Sequence, residues 1–143
     1  MARDDAEAER RIAEAKASGA LELSLRGLDI DRLPDSLRTL TRLETLDLRG
    51  CQKLADIRAV SCLMGLKALL CGVDATAESW WEQSFALSDI KPVSGLKSLQ
   101  QLYLIGCRQL TDVSVLSSLT GLQQLYLIGC SQLKDVSVLS SLT

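Results

Sequence analysis

Residues 99–143 contain one phrase written twice, and this duplication constrains the fold more than any other feature of the chain. LQQLYLIGCRQLTDVSVLSSLTG runs directly into LQQLYLIGCSQLKDVSVLSSLT, and the copies differ only at Arg108/Ser131 and Thr111/Lys134. A unit this short, with leucine at fixed offsets, cannot bury its apolar side by itself and must stack on neighbours of the same kind. Counting back in steps of 23 divides the preceding sequence into coils 20–42, 43–65, 66–98, 99–121 and 122–143, the third being longer by ten residues.

Within a coil, leucine occupies the first, fourth and sixth positions: Leu43/Leu46/Leu48, Leu99/Leu102/Leu104 and Leu122/Leu125/Leu127. Alternation from the fourth to the sixth position predicts a short strand with one buried face. Aliphatics then return every third residue, at Leu54, Ile57, Val60 and Leu63 and again at Leu110, Val113, Leu116 and Leu119. That spacing predicts a 3₁₀ or tight helical return on the far side of the coil.

Residues 1–19 are different in kind. Asp4 to Ala17 are nearly all good helix formers, acidic in front and with Lys16 near the end, and Ser18-Gly19 supplies a stop. The apolar positions Ala6, Ala13 and Ala17, with Ile12 and Ala8 beside them, make a thin stripe. Such a helix gains stability by lying on something, and the open face of the first coil predicts a terminal cap.

The pattern L-x-x-L-x-L-x-x-C-x-x-L-x-D-V-x-x-L resembles a leucine-rich repeat. The endings ADIRAV, SDIKPV and TDVSVLSSLTG resemble the short-return repeats of internalin-like proteins. The first coil, LELSLRGLDIDRLPDSL, is similar to the L-x-x-L-P variety of bacterial proteins; with RRIAEAKASGA before it, it also resembles the start of the repeat region in some Roco-type proteins. The fold implied is a right-handed α/β solenoid, with a parallel β-sheet on its concave face, short returns on its convex face and an N-terminal helical cap. The function implied is a bacterial protein-interaction or self-association scaffold. The Roco likeness adds an alternative, a sensor or regulatory fragment of a larger signalling protein, although no G-x-x-x-x-G-K-[ST] loop occurs in the sequence.

On such a sheet the fifth position of successive coils points outward and reads Ser24, Asp47, Leu70, Tyr103, Tyr126; the seventh reads Arg26, Arg49, Gly72, Ile105, Ile128. Charge therefore gives way to an apolar patch of Leu70, Tyr103, Ile105, Tyr126 and Ile128, the chain's candidate partner-binding residues. A cross-strand ladder that only stabilises the sheet is the competing reading. Glu22, Glu44, Asp47, Arg26 and Arg49 read as a solvated, ion-paired face. The added segment of the third coil, about 75–86, holds Trp80, Trp81 and Phe85, all the Trp and Phe of the chain. A short helix capped by Asp74 or Thr76 is expected there, with one Trp ring buried and the other partly exposed. Trp80 and Trp81 are a second candidate contact, or else a plug for the convex side.

Catalysis and cofactors find little support. The chain has no histidine and no C-x-x-C pair; the column Cys51, Cys107, Cys130 reads as small buried thiols, and no metal or other cofactor is expected. Asp56, Asp89, Asp112 and Asp135 each precede a return, where a carboxylate accepts backbone N–H groups, which explains the column without calcium. A net charge of −2 favours neither nucleic acid nor anionic membrane as a partner. Five cysteines without paired spacing, and a charged start, predict a reduced, cytoplasmic protein. No amphipathic segment follows Leu122, Leu125, Leu133 and Leu139 in the sequence, so the chain is expected to be either a fragment of a longer array or a homodimer, the latter through these C-terminal coils or through the concave Tyr/Ile patch.

Overall fold

In a computed structural model, which describes residues 3–74, 76 and 78–133, the chain forms one helix followed by a five-stranded parallel sheet in sequential order. Helix α1 spans Asp5–Ser18, and the strands are β1 Glu22–Ser24, β2 Thr45–Asp47, β3 Ala68–Gly72, β4 Gln101–Ile105 and β5 Gln124–Tyr126. The repeat fixes the register: Ser24, Asp47, Leu70, Tyr103 and Tyr126 stand side by side, with Leu23, Leu46, Leu69, Leu102 and Leu125 in the next row. The ten added residues of the third coil fall wholly between β3 and β4, which pair Leu70 with Tyr103.

On the convex side the returns are 3₁₀ turns at Asp35–Thr39, Arg58–Cys62, Lys91–Val93 and Ser114–Ser118. Three of them are set up by the aspartate column: the Arg58, Lys91 and Ser114 N–H groups donate to Asp56, Asp89 and Asp112 at 3.0, 2.9 and 2.8 Å. Asp135 lies outside the described residues. Between sheet and returns the core is aliphatic, with Leu46, Leu69 and Leu102 fully buried and Phe85 as its single aromatic ring.

Helix α1 covers the first coil. The face it buries is Ala8, Ile12 and Ala15, not the expected Ala6, Ala13 and Ala17, which are exposed. Ile12 is the largest apolar side chain on the helix, so the face centred on it, with its neighbours at i−4 and i+3, removes most apolar area from water. Gly19 ends the helix in the left-handed region at φ 66, its N–H on the Ala15 and Lys16 carbonyls. Asp4 and Asp29 exchange bonds at the helix start: the Asp29 N–H donates to the Asp4 carboxylate at 2.7 Å and the Asp4 N–H to the Asp29 carbonyl at 3.0 Å.

Candidate protein-binding surface

Strand alternation directs leucines inward, and what remains on the concave face divides into two halves. Coils three to five present Leu70 and Tyr103, both half-buried, then Tyr126 and Ile128, 37% and 57% exposed. Tyr103 and Tyr126 pack with ring centroids 4.4 Å apart, tilted by 55°. Ile105 is the correction to the expected patch: at 8% exposed it has little surface to offer a partner. It lies within β4, with coils on both sides, whereas Ile128 follows β5 and among the described residues has a neighbouring strand on one side only.

The other half is charged and neutralised internally. Arg49 binds Asp47 of its own coil through Nε and Nη2 at 3.0 and 2.9 Å. Arg26 reaches across the second coil to the third, donating to Asp74 at 2.8 and 2.5 Å and to the Thr76 hydroxyl at 2.9 Å. Lys67 pairs with Glu44 at 3.2 Å. Asp74, expected as a helix cap, instead closes a local turn onto the Thr76 N–H at 3.0 Å and anchors Arg26. The Arg26 guanidinium holds the Asp74 carboxyl down to about 2. Because this value lies below the unfolded one, the pair stabilises the fold above about pH 4, and its contribution fades as pH falls toward 2. With Arg26 and Asp74 side chains 35% and 22% exposed, solvent screening leaves about 1 kcal/mol. Asp74→Asn is expected to lose that much stability at neutral pH and to match the wild type near pH 2, as read by denaturant melts along a pH series.

The inserted segment lies along the ends of the strands. It is not the expected helix: one 3₁₀ turn, Trp80–Glu82, is preceded by Ser79 in the left-handed region and followed by extended backbone. Tertiary bonds decide its course, from the Ala86 N–H to the Gln52 carbonyl at 2.9 Å and from the Phe85 N–H to the Gly106 carbonyl at 3.2 Å. Phe85 is fully buried, Trp80 half-buried and Trp81 60% exposed, so the phenyl ring takes the anchoring place expected of one indole. The indoles meet edge to face at 6.3 Å. Arg108, one of the two residues that distinguish the twin repeats, donates from Nη2 to the Trp81 carbonyl. Arg108→Ser makes the coil match its twin there and is expected to release the Trp turn. Tryptophan emission should then shift to the red and proteolysis within 78–84 accelerate several-fold, with little change in overall melting.

The cysteine column is buried and serves the backbone. Cys51 Sγ donates to the Leu25 carbonyl at 3.0 Å and Cys130 Sγ to the Leu104 carbonyl at 2.7 Å. Burial pushes the Cys51 thiol up to about 11, far from the thiolate that metal binding or nucleophilic attack needs. Among the described residues no group of His, Cys, Asp and Glu is placed to hold a metal ion, and no helix is long and apolar enough to cross a membrane. A concavity of about 380 Å³ under α1 is lined by Glu9, Arg32, Arg38, Asp56 and Arg58, and Arg58 there is tied to Asp56 at 2.8 Å.

A family model described as leucine-rich repeats (2 copies) matches residues 97–141. Among solved structures, an internalin from Listeria monocytogenes superposes with a TM-score of 0.71 at 24% identity, over 92% of this chain and 34% of its own. A leucine-rich-repeat protein from Leptospira interrogans has a TM-score of 0.47 at 21% identity, over 81% of this chain and 33% of its own. The chain thus spans about a third of the length of each. A search of curated proteins by sequence found no match.

Proposed function

From the premise that this chain is a leucine-rich-repeat solenoid, we propose that it is a protein-interaction scaffold whose contact surface is the apolar half of its concave sheet. The observation that carries this reading is the run of Leu70, Tyr103 and Tyr126 in adjacent register on the outward face of the sheet, with exposed Ile128 two residues beyond Tyr126. Isolated exposed apolar residues need no explanation, but a contiguous ladder containing two tyrosines fits the anchors of an interface. Trp81, exposed on the inserted turn, extends the surface at the strand ends.

The mechanism is rigid display. Leu70, Tyr103 and Tyr126 sit on strands pinned by neighbours on their buried face, so docking there costs little ordering entropy. The ion-paired half supports selectivity, because a partner that placed a charge over Asp47–Arg49 or Arg26–Asp74 would have to compete with a bond already made.

Affinity capture with three forms of the chain tests the proposal. Leu70→Ser/Tyr103→Ser alters the concave face, and Met64→Ser alters a residue 54% exposed outside the sheet. Proteins held equally by the wild type and Met64→Ser, and held at least about tenfold less by the double variant, are the expected result. Equal retention by all three, with folding confirmed by circular dichroism, would overturn it.

A further inference from the structure

Between Lys67 and Lys91 the chain carries four carboxylates, Asp74, Glu78, Glu82 and Asp89, and no basic residue. Among the described residues only Asp74 of these is ion-paired, to Arg26. Glu78 and Glu82 are exposed and bracket the Trp turn, with Trp81 between them.

The turn is built to hold that indole in water. Ser79 takes the left-handed region at φ 58, alone among the described non-glycine residues, a conformation that a residue with a β-carbon keeps only where its surroundings enforce it. The enforcing bonds are present. The Glu82 N–H donates to the Ser79 carbonyl at 3.0 Å and the Gln83 N–H to the Trp80 carbonyl at 3.1 Å. Gln52 Nε2 donates to Gln83 Oε1 at 3.1 Å, and Arg108 to the Trp81 carbonyl. Half-buried Trp80 braces Trp81 with the two ring planes 82° apart, yet Trp81 stays 60% exposed. None of these bonds is needed to anchor the insertion in the core, because Phe85 does so. A strained and multiply bonded turn that keeps an indole outside the core fits a contact for a ligand.

We propose that Trp81, Glu78 and Glu82 receive an arginine side chain from a basic segment of a partner protein, its guanidinium lying on the indole face and its N–H groups on the carboxylates. The charge of the segment selects a cation, and the indole selects among cations. A guanidinium is planar and weakly hydrated, so it stacks on a ring while donating from its edge; an ammonium is a compact, strongly hydrated point charge that loses more water to do so. Arg108 donates to a carbonyl and forms no ion pair with either glutamate among the described residues, so both carboxylates remain for the ligand. Because the ring is already braced, docking fixes little that was free. This site rests on the reading of the chain as a protein-interaction scaffold, but not on the concave ladder.

A dye-labelled tetra-arginine peptide, with tetra-lysine as its equal in charge, tests the site by fluorescence anisotropy at low salt. The wild type is expected to bind the arginine peptide at least about fivefold more tightly than the lysine peptide, and Trp81→Ala to remove that preference. Glu78→Gln/Glu82→Gln should weaken the arginine peptide by about fivefold or more. Glu22→Gln/Asp31→Asn, which removes the same charge from exposed positions elsewhere, should weaken it by less than about twofold. Leu70→Ser/Tyr103→Ser should bind it as the wild type does, so the result is independent of what the concave face binds. Circular dichroism establishes that every form folds. Equal binding of the two peptides by the wild type, a preference that survives Trp81→Ala, a charge-matched control that weakens binding as much as Glu78→Gln/Glu82→Gln, or loss of binding in the concave variant would each overturn the proposal.

Discussion

Replacing Gly72 with alanine is expected to destabilise the chain by about 3 kcal/mol or more. Gly72 ends β3 with φ +103, and a Cβ built there would stand 2.1 Å from the Ile105 carbonyl oxygen and 2.6 Å from the Ile105 nitrogen. Both obstacles are backbone of the neighbouring strand, so no rotamer change relieves the clash. Either β3 or β4 must move, and the β3–β4 pairing that joins the first three coils to the last two is lost with it. Because stacked repeats are coupled mainly to their neighbours, thermal melting should become broader or separate into two steps. A loss of ~3 kcal/mol corresponds to roughly 6–12 °C in a domain of this size. Unchanged melting by calorimetry would contradict the close approach.

Phe85→Ala should cost about 3–5 kcal/mol, the range for removing a buried phenyl ring. Phe85 is fully buried and joins the aliphatic core from the inserted segment, while Trp81, four residues earlier, is 60% exposed. Trp81→Ala is therefore expected to change stability by less than about 0.5 kcal/mol. Denaturant melts of the pair separate an insertion anchored in the core from one that only lies upon it; equal effects would contradict the anchoring.

The solenoid was legible because periodicity converts directly into sheet register. A step of 23 residues puts Tyr103 beside Tyr126, and the ten-residue excess has to emerge between β3 and β4. The outward columns followed from strand alternation alone. Depth within a column did not, because it depends on what lies on either side: Ile105 and Ile128 are equivalent in the repeat yet differ from 8% to 57% exposed. The path of 78–86 was hidden for a similar reason. Local preference favours a helix there, but backbone bonds to Gln52 and Gly106, distant in sequence, draw the segment out. The Arg26–Asp74 pair spans 48 residues and has no local signature. One signal was present and unread. Glycine holds the eighth position at Gly27, Gly50, Gly106 and Gly129, but in the third coil it comes one residue early, at Gly72, where the strand departs into the insertion.

The assignment of binding to the apolar half of the concave sheet is tested most directly by photo-cross-linking. A photoreactive phenylalanine analogue at position 103 on the concave face, and in a separate preparation at position 117 in the convex return, reports which face a partner touches. Adducts to a foreign protein from position 103, absent from position 117 and suppressed by adding Leu70→Ser, are the predicted result. Adducts that form equally from both positions, or only from the convex return, would contradict it.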